Sequence, residues 1–199
     1  MVSDPDPADY LDACETIDFH ASEVTEAAEM LAAEDDTGTT RRCFEFVRDQ
    51  IRHSFDFQLN PVTCRASDVL LHRTGYCYAK SHLLVALLRA NQIPAGLCYQ
   101  RLTIDGDQGP HCLHGLVAVH LPPHGWYRID PRGNRDGVNA QFTPPDEMLA
   151  FPIRHAGERD LAGIHVSPLG SIVRCLTTHQ TWQAVCRALP DASPPESET

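Results

Sequence analysis

Positive charge is scarce in this chain of 199 residues: 16 lysine and arginine residues stand against 27 aspartate and glutamate residues, for a formal net charge of −11. Proteins that bind phosphate backbones or anionic lipid surfaces depend on a surplus of lysine and arginine. We therefore expect neither nucleic acid nor a membrane among the partners of this protein.

Long apolar segments and export signals are also missing. No stretch approaches the roughly 20 apolar residues that a helix needs to span a bilayer. The acidic N-terminal part contains neither the basic nor the apolar segment of a signal peptide. The eight cysteines show no tight paired spacing, which indicates reduced thiols rather than a disulfide framework. Together these absences predict a cytoplasmic protein.

Motifs for metals and phosphates are incomplete. His111, Cys112 and His114 lie close together in the sequence, but no second cysteine pair or carboxylate cluster completes a zinc ligand set. Gly133 and Gly137 are not followed by the Lys-Ser/Thr pair of a phosphate-binding loop. We expect no metal and no cofactor.

The apolar pattern predicts one domain of helices and strands. A hydrophobic content of 42% in a chain of this length is enough for a sizeable core. We expect this domain over residues 1–190, with a loose segment at 1–9, and a disordered tail at 191–199. Periodicity predicts helices at 21–33, 41–53, 65–71 and 177–189, a break at 37–40, irregular chain at 54–63, and strands at 96–104, 113–121 and 126–130.

Cys77 carries the clearest chemical signal. It follows the turn-forming Gly75, and the leucines after it recur with helical spacing until Pro94 ends the segment. This pattern places the thiol at or near the N-terminus of a helix, where unpaired backbone N–H groups and the helix dipole favour the thiolate. Because the thiolate is the reactive form, Cys77 is a candidate nucleophile.

A nucleophilic cysteine needs a base, and the base needs an orienting group. His114 begins an apolar, strand-like run, and Asp130 ends the strand signal that follows the turn at 122–125. In an antiparallel pair of strands these two positions are neighbours across the hairpin. His111 is the rival candidate for the base, and Asp130 before Pro131 is also compatible with an ordinary turn residue.

Three blocks of the sequence resemble the transglutaminase-like superfamily. They are Gly-Tyr-Cys-Tyr-Ala-Lys at 75–80 with the helix ending in Leu-Leu-Arg-Ala-Asn-Gln-Ile-Pro-Ala at 87–95, the strand that opens at His114, and the pair Asp130-Pro131. The resemblance covers about residues 40–135. Gly115-Leu116 and Asn91-Gln92 depart from the usual family pattern, and neither pair belongs to the candidate triad.

This resemblance implies an α+β fold with a papain-like core. N-terminal helices, one of them carrying the nucleophile at its N-terminus, would pack on an antiparallel β-sheet. The resemblance also implies catalytic roles for three residues: Cys77 as the nucleophile, His114 as the general base and acid, and Asp130 as the group that orients the histidine.

Such a triad supports acyl transfer from an amide or peptide bond through a cysteine thioester. We expect a hydrolase that acts on a peptide, a protein or a small amide. The alternatives are a transglutaminase-type amine acyltransferase and a non-catalytic binding module with an idle triad. The backbone N–H of Cys77 is a natural oxyanion donor, and Gln58 and Asn60 are the candidates for the second donor.

Overall fold

The structure is a computed structural model that describes residues 5–104, 106 and 109–192. Within these residues the α-helices are α1 (Ser22–Leu31), α2 (Asp36–Gln50), α3 (Ser54–Phe57), α4 (Ala66–His72), α5 (Cys77–Ala90), α6 (Gly170–Thr178) and α7 (Trp182–Arg187). The strands are β1 (Arg52–His53), β2 (Thr74–Gly75), β3 (Ala95–Thr103), β4 (His111–Leu121), β5 (Gly125–Ile129), β6 (Gln141–Thr143), β7 (Asp146–Met148) and β8 (Arg159–Asp160).

Helix α5 is the centre of the domain. Its side chains from Cys77 to Arg89 are all buried, because the helix packs against α1, α2 and α4 as well as against strands β3 and β4. A helix that is apolar on most of its circumference is stable only when neighbours cover it on several sides. The position of the first residue of α5 is therefore fixed by packing on both the helical layer and the sheet.

The main sheet is antiparallel and has the strand order β5-β4-β3-β8. Strand β3 pairs over its whole length with β4, from Ala95 opposite Val119 to Thr103 opposite His111, and β5 pairs with the second half of β4. Helices packed on a curled antiparallel sheet form the α+β, papain-like arrangement that the sequence predicts, so the predicted fold class is confirmed.

A short parallel pair of strands lies beside the start of α5. In this pair His53 of β1 stands opposite Gly75 of β2, two residues before Cys77. The chain segment before the helix is thereby tied to the segment that carries His53.

Three sequence predictions about helices need correction. The Thr-Gly-Thr-Thr stretch at 37–40 does not break a helix but forms the first turn of α2, because the side chain of Asp35 accepts a hydrogen bond from the N–H of Gly38 at 2.6 Å and caps the helix there. Part of the stretch predicted to be irregular forms the one-turn helix α3. In place of the single helix predicted at 177–189, the chain forms two shorter helices, α6 and α7, that are separated at 179–181.

Both ends of the described chain pack on the domain. Within the predicted loose segment, residues from Pro7 onward form a short 3₁₀ helix whose last residue, Tyr10, is buried and donates to the carbonyl of Ile164 at 2.9 Å. At the other end Asp191, the first residue of the predicted tail, accepts two hydrogen bonds from Arg101 at 2.7 and 2.8 Å. Residues 193–199 of that tail lie outside the described residues.

The eight cysteines are all unpaired, so packing and hydrogen bonds hold the domain together without cross-links. Among the described residues, no helix is long and apolar enough to cross a membrane.

Candidate active site

Cys77 is the first residue of α5, and its side chain lies at the wall of a cavity of about 370 Å³. The residue before it, Tyr76, has an extended backbone and places no side-chain cap on the helix, and the first turn contains no acidic residue. The first backbone N–H groups of the helix therefore have no acceptor within the helix, at the end that carries the thiol. A helix start of this kind stabilises negative charge.

Gly115 allows strand β4 to approach the first turn of α5. A Cβ atom added at Gly115 would lie 3.0 Å from Cδ1 and 3.2 Å from Cα of Tyr78, which is closer than such contacts usually come. On the other side of His114, the Tyr78 hydroxyl donates to the carbonyl of Leu113. The two contacts flank His114 and hold its ring next to Cys77.

His114 and Asp130 form a buried hydrogen bond in which Nε2 of His114 lies 2.7 Å from Oδ2 of Asp130. The same Oδ2 accepts from the backbone N–H of Ala150 at 3.1 Å, and Oδ1 accepts from that of Arg132 at 3.1 Å. The carboxylate is fully buried, so these three donors replace its hydration. Asp130 is held as an anion behind the histidine ring.

The electrostatics favour a positive His114. Burial lowers its pKa, but the charges of Asp130 and Cys77 and the hydrogen bonds to both residues outweigh burial and raise it to about 10. For Asp130, burial raises the pKa of the carboxyl, whereas the charge and hydrogen bond of His114 and the two backbone donors lower it more. The imidazolium form of His114 and the carboxylate form of Asp130 therefore stabilise each other.

The structure separates the two histidines that were candidates for the base. His111 and His114 are three residues apart on β4, so their side chains leave opposite faces of the strand. Nε2 of His111 lies 3.3 Å from the carbonyl of Ala156, and His111 does not line the cavity. Only His114 is brought together with Cys77 and Asp130.

Gln58 and Asn60 are not brought to the cavity, which corrects their selection as candidates for the second oxyanion donor. Gln58 ends α3 in the left-handed conformation with an exposed side chain. Asn60 is also exposed, and its Oδ1 accepts from the backbone N–H of Trp182 at 2.8 Å. Neither side chain lines the cavity beside Cys77.

His53 lines the cavity and was missed by the sequence analysis. The ring is buried against Tyr76 at a centroid distance of 5.5 Å, and its Nδ1 is enclosed without a hydrogen-bond partner among the described residues. Burial, together with the positive charges of Arg132, Lys80 and other neighbours, lowers the pKa of His53 well below its ordinary value. No local sequence signal marks this residue, because its nearness to Cys77 depends on the β1–β2 pairing.

An ion pair between Arg132 and Asp56 lies next to His53. Arg132 donates two hydrogen bonds to the carboxylate of Asp56, at 2.6 and 2.9 Å, and its guanidinium lies 5.4 Å from the ring centroid of Phe151. Nδ1 of His53 lies 3.8 Å from the same carboxylate, which is beyond hydrogen-bond distance. Asp56 is therefore committed to the arginine rather than to the histidine.

Lys80, the only lysine of the chain, stands one turn after Cys77 and is fully buried. Its ammonium group donates to the backbone carbonyls of Arg48 and Ile51 at the end of α2. Burial and the charge of Arg132 lower its pKa to about 7, although Asp130 acts in the opposite direction. Lys80 joins two helices and does not line the cavity.

The described residues contain no group of three or more histidine, cysteine, aspartate or glutamate side chains that could hold a metal ion.

The sequence comparison agrees with this geometry. The family model described as the Transglutaminase-like superfamily matches residues 25–131, a span that includes Cys77, His114 and Asp130. The chain belongs to the transglutaminase-like superfamily. No curated protein matches the sequence.

The chain is also similar to solved structures from Cytophaga hutchinsonii and Pseudomonas aeruginosa. A candidate cysteine protease from Cytophaga hutchinsonii superposes with a TM-score of 0.50 at 17% identity, over 66% of this chain and 43% of that one. The periplasmic domain of TgpA from Pseudomonas aeruginosa gives a TM-score of 0.48 at 19% identity, over 64% of this chain and 48% of that one. The superfamily member described here thus spans less than half the length of either chain, and the first likeness is one of fold alone.

Proposed function

We propose that the protein is a thiol-dependent enzyme that cleaves an amide or peptide bond through a thioester on Cys77, with water as the final acceptor. The observation that carries this proposal is a set of three buried side chains, of which those of Cys77 and His114 line the cavity and that of Asp130 lies against His114. Cys77 stands at a helix N-terminus, Cys77 and Asp130 both raise the pKa of His114, and Oδ2 of Asp130 lies 2.7 Å from Nε2 of His114.

In the first half of the reaction, the Sγ atom of Cys77 attacks the carbonyl carbon of the amide. Because Nε2 of His114 is bonded to Asp130, Nδ1 is the nitrogen that exchanges a proton with the reacting groups. The proton on Nδ1 passes to the amide nitrogen as the carbon–nitrogen bond breaks. A neutral amine leaves, and the acyl group remains on sulfur.

In the second half, His114 is neutral and takes a proton from water as the water oxygen attacks the thioester carbon. The carbon–sulfur bond breaks, the carboxylic acid is released, and the thiolate and imidazolium are restored. Asp130 stays ionised throughout and keeps the ring of His114 in one orientation.

The first oxyanion donor in this proposal is the backbone N–H of Cys77, and we assign the second to His53. A neutral histidine has one N–H, and the lowered pKa of His53 favours the neutral ring. Nδ1 is the enclosed nitrogen, so a proton on Nε2 would be directed to the cavity. A donor held in place before the reaction stabilises the oxyanion without having to reorganise.

Transfer to an amine is the alternative reaction. The only lysine of the chain, Lys80, is fully buried, so its side chain is not an accessible acceptor. An amine acceptor would therefore come from another molecule. Product analysis in the presence of a fluorescent primary amine distinguishes an acid product from an amine conjugate.

The experiment that tests the proposed function maps the reactive thiol with limiting iodoacetamide at about pH 6, below the pKa of an ordinary thiol. We expect labelling at Cys77 alone among the eight cysteines, its loss in His114→Ala, and its retention in His111→Ala as the matched control. Turnover of a panel of peptide amides by the wild type, and none by Cys77→Ala, completes the test. Labelling spread over several cysteines and unaffected by His114→Ala would mean that the triad is idle.

A further inference from the structure

The side chains around the cavity have the opposite charge balance to the whole chain. The formal net charge of the protein is −11, yet the described lining of the cavity includes three arginines, Arg132, Arg135 and Arg154, and a single acidic residue, Glu158. A cleft lined by one sign of charge and enclosed by low-dielectric walls concentrates ligands of the opposite sign. The cavity therefore differs from the rest of the surface in the kind of ligand it attracts.

Arg132 is already neutralised by its two hydrogen bonds to Asp56. Arg135 approaches the same carboxylate only to 3.6 Å, with a side chain that is 51% exposed. Among the described residues, no carboxylate lies within ion-pair distance of Arg154, which is exposed. Three arginines thus stand against two described carboxylates, those of Asp56 and Glu158, and the excess positive charge lies at Arg135 and Arg154, called here the arginine rim.

Glu158 contributes one negative charge to the cavity, but its oxygen atoms already accept hydrogen bonds from the protein. Its Oε1 accepts from the backbone N–H and the hydroxyl of Thr103 at 3.0 and 2.8 Å. Its Oε2 accepts from the backbone N–H groups of Arg154 and His155 at 2.8 and 2.9 Å. Four donors occupy the carboxylate, so it orders the loop that carries Arg154. Two further acidic residues of the neighbouring 105–108 segment, Asp105 and Asp107, lie outside the described residues.

Apolar side chains form the remainder of the cavity entrance. Phe55 is 45% exposed and Ile104 is 50% exposed, and both line the cavity together with Phe151 and Leu189. A cavity of about 370 Å³ holds a small acyl group or a few atoms on each side of a scissile bond rather than a long folded segment. The lining therefore suits an apolar body that ends in, or carries, an anionic group.

We propose that the substrate is an amide with a carboxylate beside the scissile bond, and that the arginine rim, Arg135 and Arg154, binds this carboxylate. This inference rests on the proposed function and adds the substrate class to it. Arginine suits the role because its planar guanidinium can bind a carboxylate through two parallel hydrogen bonds.

The test compares two alkylating reagents that differ in charge. Iodoacetate is an anion of nearly the same size as neutral iodoacetamide. The rate constant of iodoacetate divided by that of iodoacetamide at Cys77 therefore reports the electrostatic potential around the thiol. The neutral thiol N-acetylcysteinamide gives the ratio for an isolated thiol. We expect the ratio at Cys77 to exceed this reference by about tenfold at low ionic strength and to fall as salt is added.

Variants assign the effect to the arginine rim. We expect the double variant Arg135→Gln/Arg154→Gln to lower the ratio by about fivefold, and Arg174→Gln, an exposed arginine away from the cavity, to leave it unchanged. A ratio at the reference value in the wild type would overturn the inference. A raised ratio that the double variant does not lower would also overturn it, because the charge would then come from His114.

Failure of the proposed function gives a different result. It would appear as slow alkylation of Cys77 by both reagents, and the ratio of the two rates would still be measurable. If turnover is found, peptide amides that differ only in Glu or Gln before the scissile bond provide the second test. We expect a kcat/KM about tenfold higher for the Glu peptide, and the preference to vanish in the double variant. Equal values for both peptides in the wild type would contradict the assigned substrate class.

Discussion

Two buried histidines border the cavity, one from the main sheet and one from the short β1–β2 pair, and they respond to burial in opposite ways. His114 on β4 has a pKa raised to about 10 against the effect of burial, because Asp130 and Cys77 favour its charged form. His53 on β1 has a pKa well below its ordinary value, because burial and nearby positive charges act on it together. Each ring therefore suits a different task. His114 suits proton transfer, and His53 suits hydrogen-bond donation from a neutral ring.

The difference depends on which carboxylate is free to bind a histidine. Oδ2 of Asp130 lies 2.7 Å from His114, whereas Oδ2 of Asp56 lies 3.8 Å from His53 and already accepts a hydrogen bond from Arg132 at 2.6 Å. Burial alone favours the neutral form of any histidine. The charge of a buried histidine is set by the contact with its carboxylate partner, and the same cavity can hold both forms.

The largest expected effect comes from breaking the His114 contact. Asp130→Asn removes the charge that holds His114 positive and offers its Nε2 an amide in place of a carboxylate. We expect kcat for amide cleavage to fall by about 10³- to 10⁴-fold, with labelling of Cys77 at about pH 6 lost and an unchanged circular dichroism spectrum. An unchanged rate would show that Asp130 is only a turn residue.

A smaller loss of activity is expected from removing His53, the second buried histidine at the cavity. His53→Ala removes the proposed second oxyanion donor while Cys77, His114 and Asp130 stay in place. We expect kcat to fall by about 10²-fold with little change in KM, and His111→Ala serves as the matched control. Alkylation of Cys77 by iodoacetamide forms no oxyanion, so its rate should be retained. A loss of alkylation in parallel with kcat would indicate a structural role for His53 instead.

The smallest expected effect is on how the free energy of unfolding changes with pH. Because the pKa of His114 rises from 6.5 to about 10 on folding, the contribution of its ion pair is complete below pH 6.5 and is lost as the pH rises towards 10. The pKa of Lys80 falls from 10.5 to about 7, so its effect has the opposite sign over nearly the same pH range. In the wild type, the opposite effects of His114 and Lys80 on the pH dependence of the free energy of unfolding therefore partly cancel.

The contribution of His114 is isolated by comparing the wild type with His114→Ala, since Lys80 is present in both. We expect the difference in their free energies of unfolding, measured with urea, to decrease between pH 6.5 and about 10. A constant difference over this range would contradict a raised pKa for His114.

Much of the fold could be predicted from the sequence because its signals are local. Leucines with helical spacing and the glycine before Cys77 predict α5, and alternating apolar runs predict the strands around His114 and before Asp130. The first turn of α2 was not predicted because threonine and glycine are poor helix formers. The helix nevertheless begins there because Asp35 caps it. Asp191 belongs to the predicted disordered tail, although its partner Arg101 lies on a central strand.

The sequence by itself determined Cys77 as the candidate nucleophile and the kind of helix start at which it stands, because these follow from residue order and from hydrogen-bonding periods of a few residues. The tertiary structure decided which histidine joins Cys77, that Gly115 lets the sheet reach Tyr78, and that His53 and the arginine rim lie at the same cavity. These outcomes depend on strand register and on contacts between segments far apart in the chain, which no local pattern encodes.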